Sequence, residues 1–366
     1  MTDLRIPAQG VRAVLFQIFE TAGAETVEAD AIATNLVEAN LAGHDSHGIV
    51  RTQRYVQWAG RGDVHFGRHI SSVIDADAFA LLEGNHGFGQ TLGREAVEVG
   101  LDKARKAGVS IVALRNAGHI GRIGGWAEQA CEAGFVSIHF VNVQNSLLVA
   151  PFGAAGRAMS TAPVCVGVPN GNDDHFILDF ATSQIAEGKA LVAMKSGKMA
   201  PSDALIDGDG QPTGDPRALY GDIKTEDVGD PRNGTGALAA MGAHKGSGLG
   251  LACELLAGAL TGSGAAGKAD NIHNGMLSIY LDPKRMDDGH GWSGAVADYI
   301  EFVRSRPPAK GVEGVLIPGD PERARRKDRL TNGLPLSPGV WDSILKTGEE
   351  LGLSRSKMDT LARTAT

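Results

Sequence analysis

Apolar residues at Val11, Val14, Leu15, Ile18 and Phe19 recur at the spacing that puts them on one stripe of a helix. Pro7 opens that helix and Gly23 stops it. A second helix is predicted from about Thr26, through Leu36 to Leu41. Glu28 and Asp30 fall in its first turn, where the helix dipole favours acids. Gly43 ends it. A third, short helix is expected from Ile49, carrying Arg51 and Tyr55 four apart on one face. The first seventy residues therefore read as all-helical.

The pattern then changes. Phe79–Glu83, Val109–Leu114, Phe135–Val141, Val164–Val168, Phe176–Phe180 and Met276–Leu281 are short β-branched or aromatic runs bounded by Gly, Pro, Asn or Asp, the signature of strands. Helical stretches at Gln90–Ala107, Gly124–Ala133 and Gly248–Leu260 lie between some of them. A mixed α/β body is expected over 71–290. The charged, proline-rich segment RSRPPAKG leads into a polar C-terminal stretch, with helices around Val340–Leu351 and Ser356–Ala362. No repeat period is present.

Composition narrows the function classes. The chain has 366 residues, enough for two or three domains, and its 42% apolar and 21% charged residues suffice for a substantial core. Fifty glycines, spread along the chain, point to many tight turns. A net charge of −8 argues against nucleic acid or an anionic membrane as the main partner. Three scattered cysteines (Cys131, Cys165, Cys253) suggest no disulfide framework and a reducing compartment. With no signal peptide and no bilayer-length apolar run, a soluble, cytoplasmic protein is expected.

Two glycine-rich segments invite a nucleotide reading. Gly87-Phe-Gly89-Gln-Thr-Leu-Gly93 follows a strand and precedes a helix, and Arg115 stands past the next strand. As a dinucleotide fingerprint its spacing is off by one and its turn too long, so it reads better as a loop capping a helix. Gly246-Ser-Gly248-Leu-Gly250 after His244-Lys245 is the better anion site. Its small residues let backbone N–H groups approach a phosphate and Lys245 adds a charge.

The densest chemistry lies in Asn40–Tyr55, NLAGHDSHGIVRTQRY. It supplies an acid/base (His47 or His44), a hydroxyl (Ser46) and a guanidinium (Arg51). A guanidinium grips a planar carboxylate bidentately, and a histidine can exchange a proton near neutral pH. Those parts suit a 2-oxo or 2-hydroxy acid. Against this, His44 could be a structural helix-end group and Asp179 an ordinary strand-end cap; Arg122 is left between a cofactor phosphate and a salt bridge to Glu128.

Further segments follow in order: NAGHIGRIGG (116–125), VAPFG (149–153), LDFATS (178–183), GAHKG (242–246) and LIPGD (316–320). Together with AGHDSHG and GFVSIHFV, over about residues 10–355, the series resembles the malate/L-lactate dehydrogenase family of the second type, unrelated to the Rossmann lactate dehydrogenases, and most its hydroxycarboxylate dehydrogenase branch. The resemblance implies a homodimer binding NAD or NADP on a mixed or antiparallel β-sheet domain without a glycine fingerprint (71–290, with room for a small inserted subdomain). A discontinuous helical domain would be formed by 1–70 with 291–366. It implies His47 as the proton carrier, with Ser46 and Asp179 as a relay, and Arg51 and Tyr55 holding the substrate carboxylate. His119 would lie near the nicotinamide, as general base in some members. Cofactor contacts are implied for His119, Asn145, Leu178, Asp179, Thr182, Ser183, His244, Lys245, Gly246, Pro318, Gly319 and Asp320. The chain departs from the family at Ser160-Thr161-Ala162-Pro163, where many members read GTNP, at Leu147, where proline is common, and at Asp320, where glutamate is.

The expected reaction is hydride exchange between a nicotinamide and a 2-oxo or 2-hydroxy acid, with no metal. Reduction of a cyclic imine such as Δ1-piperideine-2-carboxylate, oxidation of ureidoglycolate and reduction of diketogulonate are alternatives within the class. Outside it stand a Ser46–His47–Asp179 hydrolase and a metal hydrolase built on His44 and His47 with Asp45 or Asp179. The first places serine and histidine adjacent without a nucleophile elbow, and the second supplies only half a ligand set.

Overall fold

The computed structural model describes residues 4–171, 174–222, 230–267 and 272–364. A short strand β1 (Leu4–Ile6) precedes α1 (Ala8–Ala22) and α2 (Thr26–Leu41). The predicted apolar stripe of α1 is wholly buried, and Gly23, at φ 115°, ends the helix in the left-handed conformation that glycine adopts most readily. Where a helix was expected from Ile49, the chain makes two 3₁₀ turns, Asp45–His47 and Ile49–Arg51, before α3 (Thr52–Arg61). The first seventy residues are thus not purely helical, because β1 pairs antiparallel with β12 (Leu334–Leu336) near the far end of the chain.

A seven-stranded sheet forms the middle. Its strands are β2 (Ser71–Asp75), β3 (Phe79–Glu83), β4 (Val109–Ala117), β5 (Val136–Val143), β6 (Val164–Val168), β7 (Phe176–Phe180) and β11 (Asn274–Leu281). They lie in the order β2-β3-β4-β11-β5-β6-β7. Only the β3–β4 pair is parallel, and it is joined by the crossover helix α4 (Gly89–Ala107). All other neighbours in the sheet are antiparallel, so this is a mixed sheet and not a doubly wound one. β11 arrives late in the chain yet takes the centre, with six of its eight residues buried. Helix α5 (Gly124–Glu132) packs on β5 and β6.

A smaller unit follows β7. It contains α6 (Glu187–Lys195), β8 (Leu205–Ile206), β9 (Pro212–Thr213), α7 (Arg217–Tyr220) and β10 (Ala237–Leu238), around Leu205, Leu219, Tyr220 and Leu238. Helix α8 (His244–Cys253) begins four residues before the predicted start and continues as a π-helical turn, Glu254–Ala259. The tail carries α9 (Pro283–Met286), α10 (Trp292–Arg304), α11 (Asp320–Asn332), α12 (Pro338–Glu350) and α13 (Arg355–Thr364). One apolar core joins α1, α2 and Tyr55 to Leu334, Trp341 and Met358, so both ends of the chain build it together. A second core lies between the sheet and helices α4 and α5. Among the described residues no helix is long and apolar enough to cross a membrane.

The glycines of the apparent nucleotide loop are packing glycines. A Cβ at Gly93 would come within 2.6 Å of Trp126, and one at Gly89 within 2.5 Å of the Gly118 and His119 carbonyls. Arg115 is spent on Glu83, 2.7 Å away, instead of reading a phosphate.

His139 lies fully buried in β5 between the hydroxyls of Ser278 and Ser137, 2.8 and 3.0 Å from its ring nitrogens. Burial pushes its imidazole from 6.5 down to about 3, so the folded protein holds it neutral. The unfolded chain binds a proton there below pH 6.5 and the native state does not, so stability is intact above pH 6.5 and drains away as pH falls toward 3. Urea unfolding should show this decline, up to about 1.4 kcal/mol per pH unit from this one group. His139→Asn should make the decline shallower; an equally steep profile in the variant would remove His139 from the cause.

Candidate active site

The site is built on a turn that glycine and asparagine shape. Gly43 takes φ 85°, and a Cβ at Gly48 would fall 1.9 Å from the Asn40 amide oxygen. Asn40 closes the turn from inside, accepting from the Ile49 N–H at 2.7 Å and donating to Asp45 at 2.6 Å. Arg329 of α11 donates to the same carboxylate at 2.6 Å, and His44 lies 3.3 Å from Glu322. His44 and Asp45 therefore anchor the turn to α11, while His47 and Arg51 project the other way.

His119 comes from the second core, on the glycine-rich turn after β4. The central strand fixes that turn, because Asn274 of β11 accepts from the Ile120 N–H at 3.0 Å. The rings of His47 and His119 stack in parallel, 5.4 Å between centroids with 1° between planes. The Tyr55 hydroxyl lies 2.6 Å from His119 Nδ1, and the Gln90 amide nitrogen lies 3.0 Å from that hydroxyl and 3.1 Å from the His119 carbonyl oxygen. The first and second cores thus meet at these four side chains.

Arg51 donates from Nε to the Ser46 carbonyl at 2.6 Å. Among the described residues its two terminal nitrogens have no acceptor and no carboxylate lies within ion-pair distance, Glu187 acting on its charge from farther off. A guanidinium removed from water without an acid is costly, and burial correspondingly lowers its pKa. The same cation acts on its neighbours. Desolvation first, then Arg51, pushes His47 down to about 3 and His119 well below 6.5. Both imidazoles are therefore neutral at neutral pH. Among the described residues the buried Nδ1 of His47 has no hydrogen-bond partner. Burial also pushes the Tyr55 hydroxyl up to about 12.

The expected relay is not joined. Ser46 packs against α6, where a Cβ at Gly188 would meet its Cβ at 3.4 Å, and Asp179 accepts from the Gly124 N–H at 2.8 Å. Among the described residues no hydrogen bond connects Ser46, His47 and Asp179. Asp179 stands beside Arg122, whose buried guanidinium pairs with Glu128 and leaves Nη1 without a partner. Tyr55 is likewise occupied by His119 and Gln90.

The residues implied for the cofactor are dispersed over the sheet and the smaller unit. Leu178 and Asp179 sit on β7; Thr182 and Ser183 follow, buried, with Thr182 donating to the Thr161 carbonyl at 3.2 Å. Ala162, where many family members carry asparagine, takes φ 35°, in the left-handed region that asparagine tolerates better. Asn145 lines a cavity of about 430 Å³ that Arg157 and Arg232 also border. His244 and Lys245 are exposed at the start of α8, while Gly246 is a close-approach glycine, 2.1 Å from the Met241 oxygen for an added Cβ. The Pro318 carbonyl accepts from Ile177 at 3.2 Å and Gly319 turns at φ 102°. Asp320 accepts from Arg304 and Arg323 at 2.6 Å each, so its carboxylate is committed within the protein.

Gln90 and Arg122 carry weight that the sequence reading did not assign. The signal for Gln90 was faint: an amide on the buried face at the start of an otherwise apolar-packed helix.

The family model for malate/L-lactate dehydrogenase matches residues 6–345 of the chain. Hydroxycarboxylate dehydrogenase B of Escherichia coli (strain K12) is 36% identical to it over 355 residues, 95% of each chain. The solved structure of a provisionally assigned malate/lactate dehydrogenase from E. coli aligns with a TM-score of 0.90 at 34% identity, covering 99% of both chains. That of the Δ1-piperideine-2-carboxylate reductase from Pseudomonas syringae aligns with a TM-score of 0.78 at 28% identity, covering 94% of this chain and 99% of the other. The chain belongs to the malate/L-lactate dehydrogenase family.

Proposed function

We propose that the protein interconverts a 2-oxo acid and a 2-hydroxy acid with NAD or NADP as the redox partner. One observation carries the reading: the Arg51 guanidinium, without a carboxylate partner among the described residues, lies within the electrostatic reach of two parallel, neutral imidazoles. A substrate carboxylate supplies the missing anion, and the oxygen on the adjacent carbon then faces His47 and His119.

The residues fit a dinucleotide. Exposed Lys245 and His244 open a ten-residue helix after a turn in which Gly242 and Ala243 both take φ 56°, a place for phosphate charge. When bound, a nicotinamide would supply or accept one hydride at the substrate's C2. Asp179 to Ser183, Asn145 and Pro318 to Asp320 would line it, with Asp320 acting through its ion pairs.

Arg51 binds the carboxylate and orients the carbonyl. Its charge, once neutralised by that carboxylate, no longer opposes protonation of the histidines, so binding the acid prepares His47 to carry a proton. The parallel stack holds at most one proton comfortably, since each charged ring repels the other. Orientation of this kind contributes several kcal/mol, up to about 7–11 in favourable cases.

A second reading keeps the site and changes the bond. The likeness to the Δ1-piperideine-2-carboxylate reductase favours a cyclic imine whose carboxylate would sit on Arg51 in the same way. A panel of 2-oxo acids and cyclic imines, followed by loss of NADH or NADPH absorbance, separates the two; turnover of neither class would overturn the proposal.

Two substitutions test the roles. Arg51→Lys should raise KM for the acid by one to two orders of magnitude, roughly 1.4 kcal/mol per decade, with little change in NADH affinity. An unchanged KM would take the carboxylate away from Arg51. His47→Asn should depress kcat far more than it weakens binding, and wild-type turnover in that variant would move the proton role elsewhere.

A further inference from the structure

The hydrogen bonds around His119 can be assigned from one fixed point. The His119 carbonyl oxygen can only accept, so the Gln90 atom 3.1 Å from it must be the amide nitrogen and not the oxygen. That nitrogen is also 3.0 Å from the Tyr55 oxygen, which therefore accepts from it. Tyr55 is 2% exposed, and among the described residues its hydroxyl has one other neighbour that could accept, His119 Nδ1 at 2.6 Å. The opposite arrangement, with Nδ1–H donating to Tyr55, would leave a buried phenolic proton without a partner among the described residues, which is costly. Tyr55 therefore donates to Nδ1, and neutral His119 carries its own proton on Nε2.

We propose that Tyr55 and Gln90 are positioning residues that hold His119 as the Nε2–H tautomer, so that His119 donates a hydrogen bond to the substrate oxygen while His47 moves the proton. This rests on the oxo-acid reaction proposed above. It divides the labour between two imidazoles that composition and spacing could not separate. Among the described residues His47 Nδ1 has no hydrogen-bond partner and no tyrosine fixes its tautomer, which leaves this ring for the proton transfer. His119 has its acceptor nitrogen occupied and presents only a donor. Tyr55 is itself held by the edges and faces of its neighbours, with Phe88 at 6.0 Å and Trp58 at 5.8 Å between ring centroids. Removing its hydroxyl alone leaves that packing in place.

Nitrogen-15 NMR of histidine-labelled enzyme, with His119 assigned by its absence in His119→Gln, reads the tautomer directly. The wild type should show a protonated Nε2 and an acceptor Nδ1 at neutral pH, and Tyr55→Phe should show a mixture of the two tautomers. In steady-state assays Tyr55→Phe should lose ten- to a hundredfold in kcat, with KM for the acid and for NADH within about threefold. Gln90→Leu should shift kcat in the same direction. A wild-type His119 protonated on Nδ1, or a Tyr55→Phe enzyme with unaltered tautomer and kcat, would overturn the assignment. The NMR result stands without turnover, so a wrong tautomer and a wrong reaction are told apart: the first appears in the spectrum, the second in the substrate panel.

Discussion

A buried positive charge without an acid to balance it is the constraint around which this cleft is arranged. Arg51 is steadied by one backbone carbonyl, that of Ser46, and its terminal nitrogens are left without acceptors among the described residues. Its field, added to desolvation, keeps His47 and His119 neutral. Several other arginines are balanced by acids: Arg304 and Arg323 share Asp174 and Asp320, Arg122 takes Glu128, and Arg329 takes Asp45, while Arg157 bonds to backbone carbonyls. Against that background the half-buried Arg51, its terminal nitrogens open among the described residues, fits the carboxylate-binding role proposed above.

The fold explains how the charge and the histidines are kept in register. Arg51 and His47 flank Ile49, a member of the core that joins the two chain ends, while His119 is set by the central strand of the sheet through Asn274. Tyr55 and Gln90 tie these two bodies together at the stacked rings. The turn that carries His47 and Arg51 rests on α2 and α11, so the polar tail helix has a structural purpose: His44 and Asp45 are fastened to it.

Much of this was visible in the residue pattern, and the omissions have physical causes. Three strands, 79–83, 164–168 and 176–180, have the limits that their apolar runs suggest. β2 escaped because all five of its residues are exposed, leaving no alternation to read. α11 buries none of its thirteen residues and is held by ion pairs, so it has no apolar stripe. The AGHDSHG turn and Arg51 stood out because glycines and ionisable groups are crowded there, and the structure stacks His47 on His119 with the Arg51 charge acting on both. The family resemblance implied Tyr55 as a partner for the substrate carboxylate, and the spacing only put it on one helix face with Arg51. Its actual neighbours, Gln90 and His119, are 35 and 64 residues away, a proximity that only the closed fold creates. Asp179 and Ser46 show the converse: proximity to the site by motif does not by itself join their side chains to His47.

The central claim, that the partnerless guanidinium and the paired imidazoles together receive one small acid, is tested most directly by a crystal structure of the enzyme with NADH and oxamate, a non-reacting likeness of a 2-oxo acid. The account predicts the oxamate carboxylate on the terminal nitrogens of Arg51 and its amide oxygen within hydrogen-bond reach of His47 and His119. Oxamate bound elsewhere, with the Arg51 terminal nitrogens still without an anion, would contradict it.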